Sequence, residues 1–288
     1  MNADGTIAWS ALLAEATTRL GASDARRIVE EVTGAEAGAL HVVLDDLATE
    51  RGVARFDALV ARRAAGEPLQ YVLGRWGFRT LDLMVDQRVL IPRPETEEVA
   101  GLAIDLLNEM AKQFDRELMA ADLGTGSGAI ALSIAAECRS TRVFATDVSG
   151  DALAVAGANL AGIGRSATRV SLHEGGWLDA LPRAVEGSLD VIISNPPYVT
   201  DTETLPPVVD DWEPAGALRS GPAGLDDLRR IVDAAPQWLR VGGALVLEMA
   251  PTQTEAVAQW TLDAGMTARV HDDFAGRPRA VVAEKTSE

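Results

Sequence analysis

The four residues Asn195-Pro196-Pro197-Tyr198 carry the clearest chemical signal in the sequence. They follow the apolar stretch 191–193, so we expect them at the carboxyl end of a buried strand, where open α/β sheets bind ligands. A planar nitrogen is a poor nucleophile because its lone pair is delocalised, so alkylating one requires acceptors that hold its NH2 group in line. The Asn195 side-chain oxygen and the Pro196 carbonyl can accept, and the Tyr198 ring can pack on a planar group. A simple strand-ending turn is the alternative, because Asn-Pro is also a common turn signal.

A glycine-rich loop precedes this tetrapeptide in the chain. Residues 122–128 (DLGTGSG) end an apolar strand and lead directly into a helical pattern. Glycines permit a sharp turn and close approach of a ligand, and a carboxylate at the end of the next strand, Asp147, can accept both hydroxyls of a ribose. The spacing is neither G-x-G-x-x-G nor a P-loop. We predict a nucleoside-cofactor site; a tight turn with Asp147 capping the helix over 151–160 is the alternative.

The elements that must position these motifs alternate between strand and helix. Strand-like stretches cover 118–123, 142–146, 169–172, 189–194 and 244–248, and helical patterns cover 129–138, 151–160, 225–239 and 252–262. The segments 267–271 and 278–283 indicate a terminal hairpin. This alternation predicts an α/β fold with a mostly parallel sheet and helices on both faces.

The N-terminal part of the chain has a different pattern. Residues 8–65 show helical spacing in four stretches, the third marked by His41, Leu44 and Leu47. Short apolar alternations over 70–91 predict a β-hairpin, and Pro92-Arg93-Pro94 precedes a helix over 95–108. We therefore divide the chain into a helical domain (1–70), a linking hairpin (71–92) and an α/β domain (93–288).

Composition excludes several classes of function. The formal net charge of −17 disfavours binding to polyphosphates as a whole, so no direct nucleic-acid binding is expected. The single cysteine, Cys138, excludes an internal disulfide, and three scattered histidines leave no expected metal site. The N-terminus lacks a leader-like pattern, and no apolar run is long enough for a bilayer, so a cytoplasmic protein is expected.

Together the glycine loop, Asp147 and the Asn-Pro-Pro-Tyr loop resemble class I S-adenosylmethionine-dependent methyltransferases that act on planar nitrogens. Three further segments resemble the subgroup of protein-(glutamine-N5) methyltransferases of peptide chain release factors. They are residues 68–74 (PLQYVLG) with Gly77-Phe78, residues 91–97 (IPRPETE), and residues 212–214 (WEP) with Ala217-Leu218.

The resemblance implies a Rossmann-like sheet and a specific reaction. A methyl group would pass from S-adenosyl-L-methionine, leaving S-adenosyl-L-homocysteine, to the glutamine amide of a Gly-Gly-Gln motif in class I release factors. The helical domain would help to bind that partner, and the enzyme would be a monomer. The implied cofactor contacts are Gly124, Thr125, Gly126, Ser127, Gly128, Asp147, Trp177 and Asn195; the implied substrate contacts are Asn195, Pro196, Pro197 and Tyr198, with Asn195 and Tyr198 catalytic.

The sequence departs from the family pattern at two places. Gly176 stands where an acid usually precedes the position of Trp177, with Glu174 two residues earlier, and Met249-Ala250 replaces a usual His-Gly. Asp122 could order water or the methionine amino group, and Arg93 could contact a ligand or pair with an acid such as Glu97. Two other functions stay open: an adenine-N6 methyltransferase on DNA or RNA, and a non-catalytic cofactor-binding scaffold.

Overall fold

The computed structural model describes residues 6–36 and 38–287. Residues 1–5, 37 and 288 lie outside the described residues. All of them fall within the predicted domains, and residues 1–5 are also part of the N-terminal stretch that lacks a leader-like pattern.

The helices and strands have the following bounds. The α-helices are α1 (Trp9–Leu20), α2 (Ala22–Thr33), α3 (Glu50–Ala64), α4 (Leu69–Leu73), α5 (Pro94–Gln113), α6 (Ala129–Glu137), α7 (Gly150–Gly162), α8 (Pro207–Asp210), α9 (Asp226–Trp238) and α10 (Thr254–Asp263). The strands are β1 (Arg75–Phe78), β2 (Leu81–Met84), β3 (Leu118–Leu123), β4 (Thr141–Asp147), β5 (Val170–Glu174), β6 (Leu189–Ser194), β7 (Leu239–Glu248), β8 (Arg269–Asp272) and β9 (Pro278–Glu284). Single 3-10 turns include Leu40–Val42 and Trp177–Ala180.

The chain divides into two compact units, and the first is helical. It comprises Met1–Arg75 together with Pro206–Trp212. Its core includes Ile28 and the edge-to-face pair Trp9 and Phe56, whose ring centroids lie 6.2 Å apart. This helical core is what the apolar spacing over 8–65 predicts.

The third helix expected around His41–Leu47 is wrong. Only Leu40–Val42 forms a 3-10 turn, because the following carbonyls are used elsewhere. The Leu44 and Asp46 carbonyls accept hydrogen bonds from the first N–H groups of α1, those of Ser10 and Trp9, at 2.8 and 3.1 Å. An antiparallel bridge between Ala8 and Leu47, with the Ala48 N–H donating to the Ile7 carbonyl at 2.9 Å, holds this part of the segment extended beside the start of α1, so it cannot be helical.

The predicted hairpin is shorter than expected. Residues 69–73 form α4 rather than a strand, and Gly74, with a φ of 74°, ends that helix. The strands β1 and β2 then pair as a two-stranded sheet. The alternation over 81–85 marks a real strand, whereas the apolar residues of 69–73 belong to one helical turn.

The second unit comprises Trp76–Leu205 and Glu213–Glu288. Its seven-stranded sheet has the order β5-β4-β3-β6-β7-β9-β8, in which β3 to β7 are parallel and β9 and β8 are antiparallel. Helices α5 and α6 pack on one face, and α9 and α10 pack on the other. This arrangement confirms the predicted α/β fold class.

The strand order places the two motifs side by side. The chain runs outward from β3 through β4 and β5, then crosses to β6 on the other side of β3, which makes β3 and β6 the switch point of the sheet. Leu123 pairs with Ser194, and the Ser194 hydroxyl donates to the Leu123 carbonyl at 2.6 Å. The residues that follow each strand, Gly124 and Asn195, therefore leave the sheet at the same edge.

Candidate active site

A cavity of about 530 Å³ lies where β3, β4, β5 and β6 end. Six of the cofactor and substrate contacts expected from the sequence line it: Gly124, Gly126, Asp147, Trp177, Asn195 and Pro197. Further lining residues include Arg88, Leu90, Pro214, Asp227 and Arg230. The expected contacts Thr125, Ser127, Gly128, Pro196 and Tyr198 are not among the lining residues.

The glycine loop adopts a conformation that only glycine takes easily. Gly124, Gly126 and Gly128 have φ angles of 72°, 55° and 85°. The N–H groups of Gly124 and Thr125 both donate to the Thr146 carbonyl, at 2.9 and 2.8 Å, which fastens the loop to β4. Thr125 and Ser127 are buried, so their side chains support the loop from behind.

Asp147 connects this loop to the next helix without capping that helix. Its carboxylate accepts the Gly126 N–H and the Ser149 N–H, each at 2.9 Å. The cap of α7 is Ser149, whose hydroxyl accepts the Ala152 N–H at 3.1 Å. The helix-capping alternative is therefore wrong, and the half-buried carboxylate keeps lone pairs for a ligand in the cavity.

Asp122 lies beneath the loop and is fully buried. Its Oδ2 atom accepts from the Thr125 hydroxyl at 2.6 Å and from the Ala131 N–H at 3.0 Å, while Oδ1 has no partner among the described residues. Burial raises the pKa of this carboxyl to about 7, and the nearby charge of Asp147 acts in the same direction. Asp122 therefore places a buried carboxyl oxygen without a hydrogen-bond partner directly behind the glycine loop.

Trp177 forms one wall of the cavity. Its backbone has a φ of 46°, and its Nε1–H donates to Asp227 Oδ1 at 3.1 Å. A Cβ atom on Gly124 would lie 3.1 Å from the Trp177 ring, so the ring covers the start of the glycine loop. The second Asp227 oxygen accepts from the Ser220 hydroxyl at 2.7 Å, which fixes the carboxylate that orients the indole.

Gly176 also lines the cavity, whereas Glu174 does not. The Glu174 carboxylate lies beside Gly150 at the start of α7, about 3.5 Å from where a Cβ atom would be. Glu174 therefore does not replace the acid missing at Gly176, and the carboxylate that the Trp177 indole contacts is that of Asp227.

The Asn-Pro-Pro-Tyr loop is pinned at both ends. At its start, the Asn195 Nδ2–H donates to the Thr96 hydroxyl oxygen at 3.1 Å. At its end, Gln253 Nε2 donates to the Tyr198 carbonyl at 2.9 Å and to the Gly224 carbonyl at 3.0 Å. Side chains from distant parts of the sequence therefore fix both ends of the loop, and an ordinary strand-ending turn does not need such bonds.

A buried carboxylate lies behind this loop. The Tyr198 hydroxyl donates to Glu248 Oε1 at 3.4 Å, and Glu248, the last residue of β7, is 1% exposed. Burial raises the pKa of Glu248 to about 7. Burial and the Glu248 charge likewise raise the pKa of Tyr198 to about 12, so the phenol stays protonated.

Two smaller questions from the sequence have structural answers. Arg93 pairs with the buried carboxylate of Glu213, which also accepts the Ile91 N–H at 3.0 Å. Glu97 is not its partner. Cys138 is buried in the core, and burial raises the pKa of its thiol to about 12, so it is a poor nucleophile.

Residues 6–36 and 38–287 contain neither a cluster of metal ligands nor a helix suited to crossing a membrane. No group of three or more His, Cys, Asp or Glu side chains there is arranged to hold a metal ion. None of the helices in these ranges has the length and apolar character needed to cross a bilayer.

Sequence reasoning missed the residues that hold the site together, which are Thr96, Gly224, Asp227, Glu248 and Gln253. Thr96 lies within the segment 91–97 that resembles the family, and Glu248 ends a buried strand, so both left a signal. No sequence pattern marks Gln253 or Asp227, because their partners, Tyr198 and Trp177, are 55 and 50 residues away in the chain.

Two family models match parts of the chain. A family model described as "PrmC N-terminal domain" matches residues 7–74, and one described as "Methyltransferase small domain" matches residues 103–212. A release factor glutamine methyltransferase of Streptomyces coelicolor is 40% identical over 288 residues, covering 95% of this chain and 96% of that protein.

The chain belongs to the release factor glutamine methyltransferase family. A second member, from Xylella fastidiosa strain Temecula1, is 40% identical and covers 94% of this chain and 96% of its own length. The resemblance drawn from the sequence motifs is thus confirmed, and the family is one of enzymes.

Solved structures share the fold. A methyltransferase from Pyrococcus furiosus covers 83% of this chain and 100% of its own, with a TM-score of 0.51 and 19% identity. The hMettl16 catalytic domain, solved in complex with a MAT2A 3'UTR hairpin, has a TM-score of 0.54 and 13% identity; the match covers 85% of this chain and 86% of that one. At these identities the likeness concerns the fold alone.

Proposed function

We propose that this protein transfers a methyl group from S-adenosyl-L-methionine to the side-chain nitrogen of the glutamine in the Gly-Gly-Gln motif of class I peptide chain release factors. The observation that carries the proposal is the Asn195 side chain, which lines the cavity and is held through its Nδ2 atom by Thr96. Its Oδ1 atom is then left to accept an N–H from a planar amide.

The cavity fits the cofactor that this reaction requires. Backbone atoms of Gly124 and Gly126 face it without side chains, and Asp147 presents carboxylate lone pairs suited to two ribose hydroxyls. The Trp177 ring offers a flat apolar wall for a base. A volume of about 530 Å³ lies within the range of small-molecule and cofactor sites.

The catalytic contribution of the chain is positioning. S-adenosyl-L-methionine supplies an electrophilic methyl group when bound. Asn195 Oδ1 and the Pro196 carbonyl accept the two N–H groups of the glutamine amide, which aligns its lone pair with that methyl group. Tyr198 does not line the cavity, so in this proposal its ring would pack on the side of the amide away from the cofactor, with its hydroxyl held by Glu248. No strong base is needed before attack, because the proton leaves after the nitrogen has become cationic.

Two considerations favour a protein glutamine over an adenine base as the acceptor. The net charge of −17 opposes the phosphate neutralisation on which tight nucleic-acid binding depends. The two relatives at 40% identity carry the name release factor glutamine methyltransferase. The scaffold alternative is disfavoured because Asn195 and Tyr198 are both present and held in place.

The remaining expectations are part of this proposal. Residues 1–70 would bind the release factor, and residues 93–288 would catalyse the methyl transfer. Residues 71–92 would connect these two domains. The match of residues 7–74 to a family model described as an N-terminal domain supports treating the first segment as a domain of its own. The enzyme would work as a monomer in the cytoplasm, where translation takes place.

The test is transfer of labelled methyl groups to a purified class I release factor. We expect label on the natural factor and none on a factor whose Gly-Gly-Gln glutamine is replaced by alanine. Label on adenine in DNA or RNA, with none on protein, would establish the nucleic-acid alternative. Cofactor binding without transfer to either class would favour the scaffold.

A further inference from the structure

Two acids line the cavity, and they are attached to different walls of it. Of the described lining residues, Asp147 and Asp227 are the two that carry a carboxylate. Asp147 accepts the Gly126 N–H of the glycine loop, whereas Asp227 accepts the Nε1–H at the edge of the Trp177 indole. The proposed function uses Asp147 for the ribose hydroxyls and gives no role to the carboxylate beside Trp177.

The Asp227 carboxylate is held in one orientation. The hydroxyl of Ser220, a buried residue, accepts the Asp227 N–H at 2.9 Å and donates to Asp227 Oδ2 at 2.7 Å. The Oδ1 atom accepts the Trp177 Nε1–H at 3.1 Å. Because the side chain is fastened to its own backbone through Ser220, it has little freedom left to lose when a ligand binds. Asp227 is therefore preorganised as an acceptor.

Asp227 keeps acceptor capacity for a ligand in the cavity. An ionised carboxylate offers about four lone-pair sites, and the bonds from Trp177 and Ser220 occupy two of them. Arg230, which also lines the cavity, places Nη1 3.8 Å from Oδ1, too far for a hydrogen bond. The Asp227 side chain is 19% exposed, so a ligand can reach it. The group that fits here is an N–H donor.

We infer that Asp227 accepts a hydrogen bond from the 6-amino group of the cofactor's adenine and makes the cavity selective for a 6-aminopurine. The inference rests on the proposed function, which places a base against the Trp177 ring. Adenine presents its 6-amino group as an N–H donor, whereas a 6-oxopurine presents an acceptor there, which a carboxylate repels. A carboxylate at the edge of the wall on which the base packs can therefore distinguish the two.

An acid at this place also accounts for the departure at Gly176. Gly176 lines the cavity next to Trp177 but has no side chain with which to accept from a base. Its φ is −82°, and a Cβ atom there would meet no atom within 4 Å, so neither backbone geometry nor crowding requires glycine. An acceptor supplied by α9 makes an acid at position 176 unnecessary, and the open space there allows one to be introduced as a test.

The experiment measures by calorimetry the Kd of S-adenosyl-L-homocysteine and of its analogue that lacks the 6-amino group. The natural protein should bind the complete ligand about tenfold or more tightly than the analogue, as expected for a hydrogen bond to a charged acceptor. D227A should bind the two ligands within about twofold of each other. Loss of the Trp177 contact in D227A would weaken both ligands alike, so the ratio of the two Kd values isolates the bond to the amino group.

Three further variants complete the comparison. D233A removes an exposed acid on α9 that pairs with Arg229 and does not line the cavity, and it should keep the natural ratio. D227A/G176D supplies a carboxylate from position 176 instead and should recover a preference of about fivefold or more for the 6-amino ligand. If D227A does not fold, D227N decides, because it keeps the size of the side chain and removes the charge. D227N should reduce the preference for S-adenosyl-L-homocysteine over S-inosyl-L-homocysteine about threefold or more.

A natural ratio of Kd values in D227A, or in D227N where D227A does not fold, would overturn the inference. Equal binding of the two ligands by the natural protein would overturn it as well, and so would a changed ratio in D233A. Absence of recovery in D227A/G176D would refute the claim that Asp227 replaces an acid at position 176. If the natural protein bound no S-adenosyl-L-homocysteine at all, the proposed function would fail instead, so the two failures are distinguishable.

Discussion

The Tyr198 carbonyl oxygen lies 2.2 Å from the position that a Cβ atom on Gly224 would occupy. Gly224 also has a φ of 67°, and its own carbonyl shares the Gln253 amide with Tyr198. The end of the Asn-Pro-Pro-Tyr loop is therefore set by Gly224, which precedes α9 and has no reactive side chain.

Replacing Gly224 with alanine should displace the loop. The methyl group would collide with the Tyr198 carbonyl, so we expect a loss of about 2–3 kcal/mol in the free energy of unfolding and a drop in kcat of at least tenfold. Chemical denaturation and methylation assays measure the two effects. G162A is the control, because a Cβ there meets no atom within 4 Å; equal stability of the two variants would contradict the account.

Asp147 should contribute chiefly to cofactor affinity. In D147N one acceptor oxygen becomes an NH2 group that faces the N–H of Gly126 or Ser149, so both the loop and the ribose contact weaken. We expect S-adenosyl-L-homocysteine to bind about tenfold more weakly, or about 1.4 kcal/mol, by calorimetry. D151N, a change at an exposed acid on α7, should bind normally. Undiminished affinity in D147N would show that the cofactor lies elsewhere.

Asp122 makes the stability of the protein depend on pH. Because burial raises its pKa from 3.8 to about 7, the folded state retains a proton that the unfolded state loses, and stability declines as pH rises through that window. Relative to D122N, the natural protein should lose about 3 kcal/mol of unfolding free energy between pH 4 and pH 7, with the steepest loss, about 1.4 kcal/mol per pH unit, between the two pKa values. Denaturant titrations of both proteins without cofactor measure this difference. Parallel stability curves would mean that Asp122 titrates normally.

The sequence was sufficient to predict the elements that have a strong period or a distinctive motif. The alternation from residue 118 onward predicts the parallel strands, and the positions of Gly124, Asp147 and Asn195 at strand ends place them at one edge of the sheet. Parallel strands all end at the same edge, so these three residues had to meet once the fold class was known.

The rest could not be predicted because it depends on partners brought together only by the fold. Thr96 and Asn195 are 99 residues apart, and Tyr198 and Glu248 are 50 apart, so no local pattern links them. The expected helix near His41 failed for a similar reason, since the Leu44 and Asp46 carbonyls cap α1. Local periodicity does not reveal which backbone groups a distant segment will use.

The most direct test of the central claim is mass spectrometry of a class I release factor after incubation with this enzyme and deuterated-methyl S-adenosyl-L-methionine. Fragmentation of the Gly-Gly-Gln peptide should place one labelled methyl group on the glutamine side-chain nitrogen. N195A should reduce that product by at least a hundredfold while still binding S-adenosyl-L-homocysteine. An unlabelled glutamine, a label on another residue, or full activity in N195A would contradict the account.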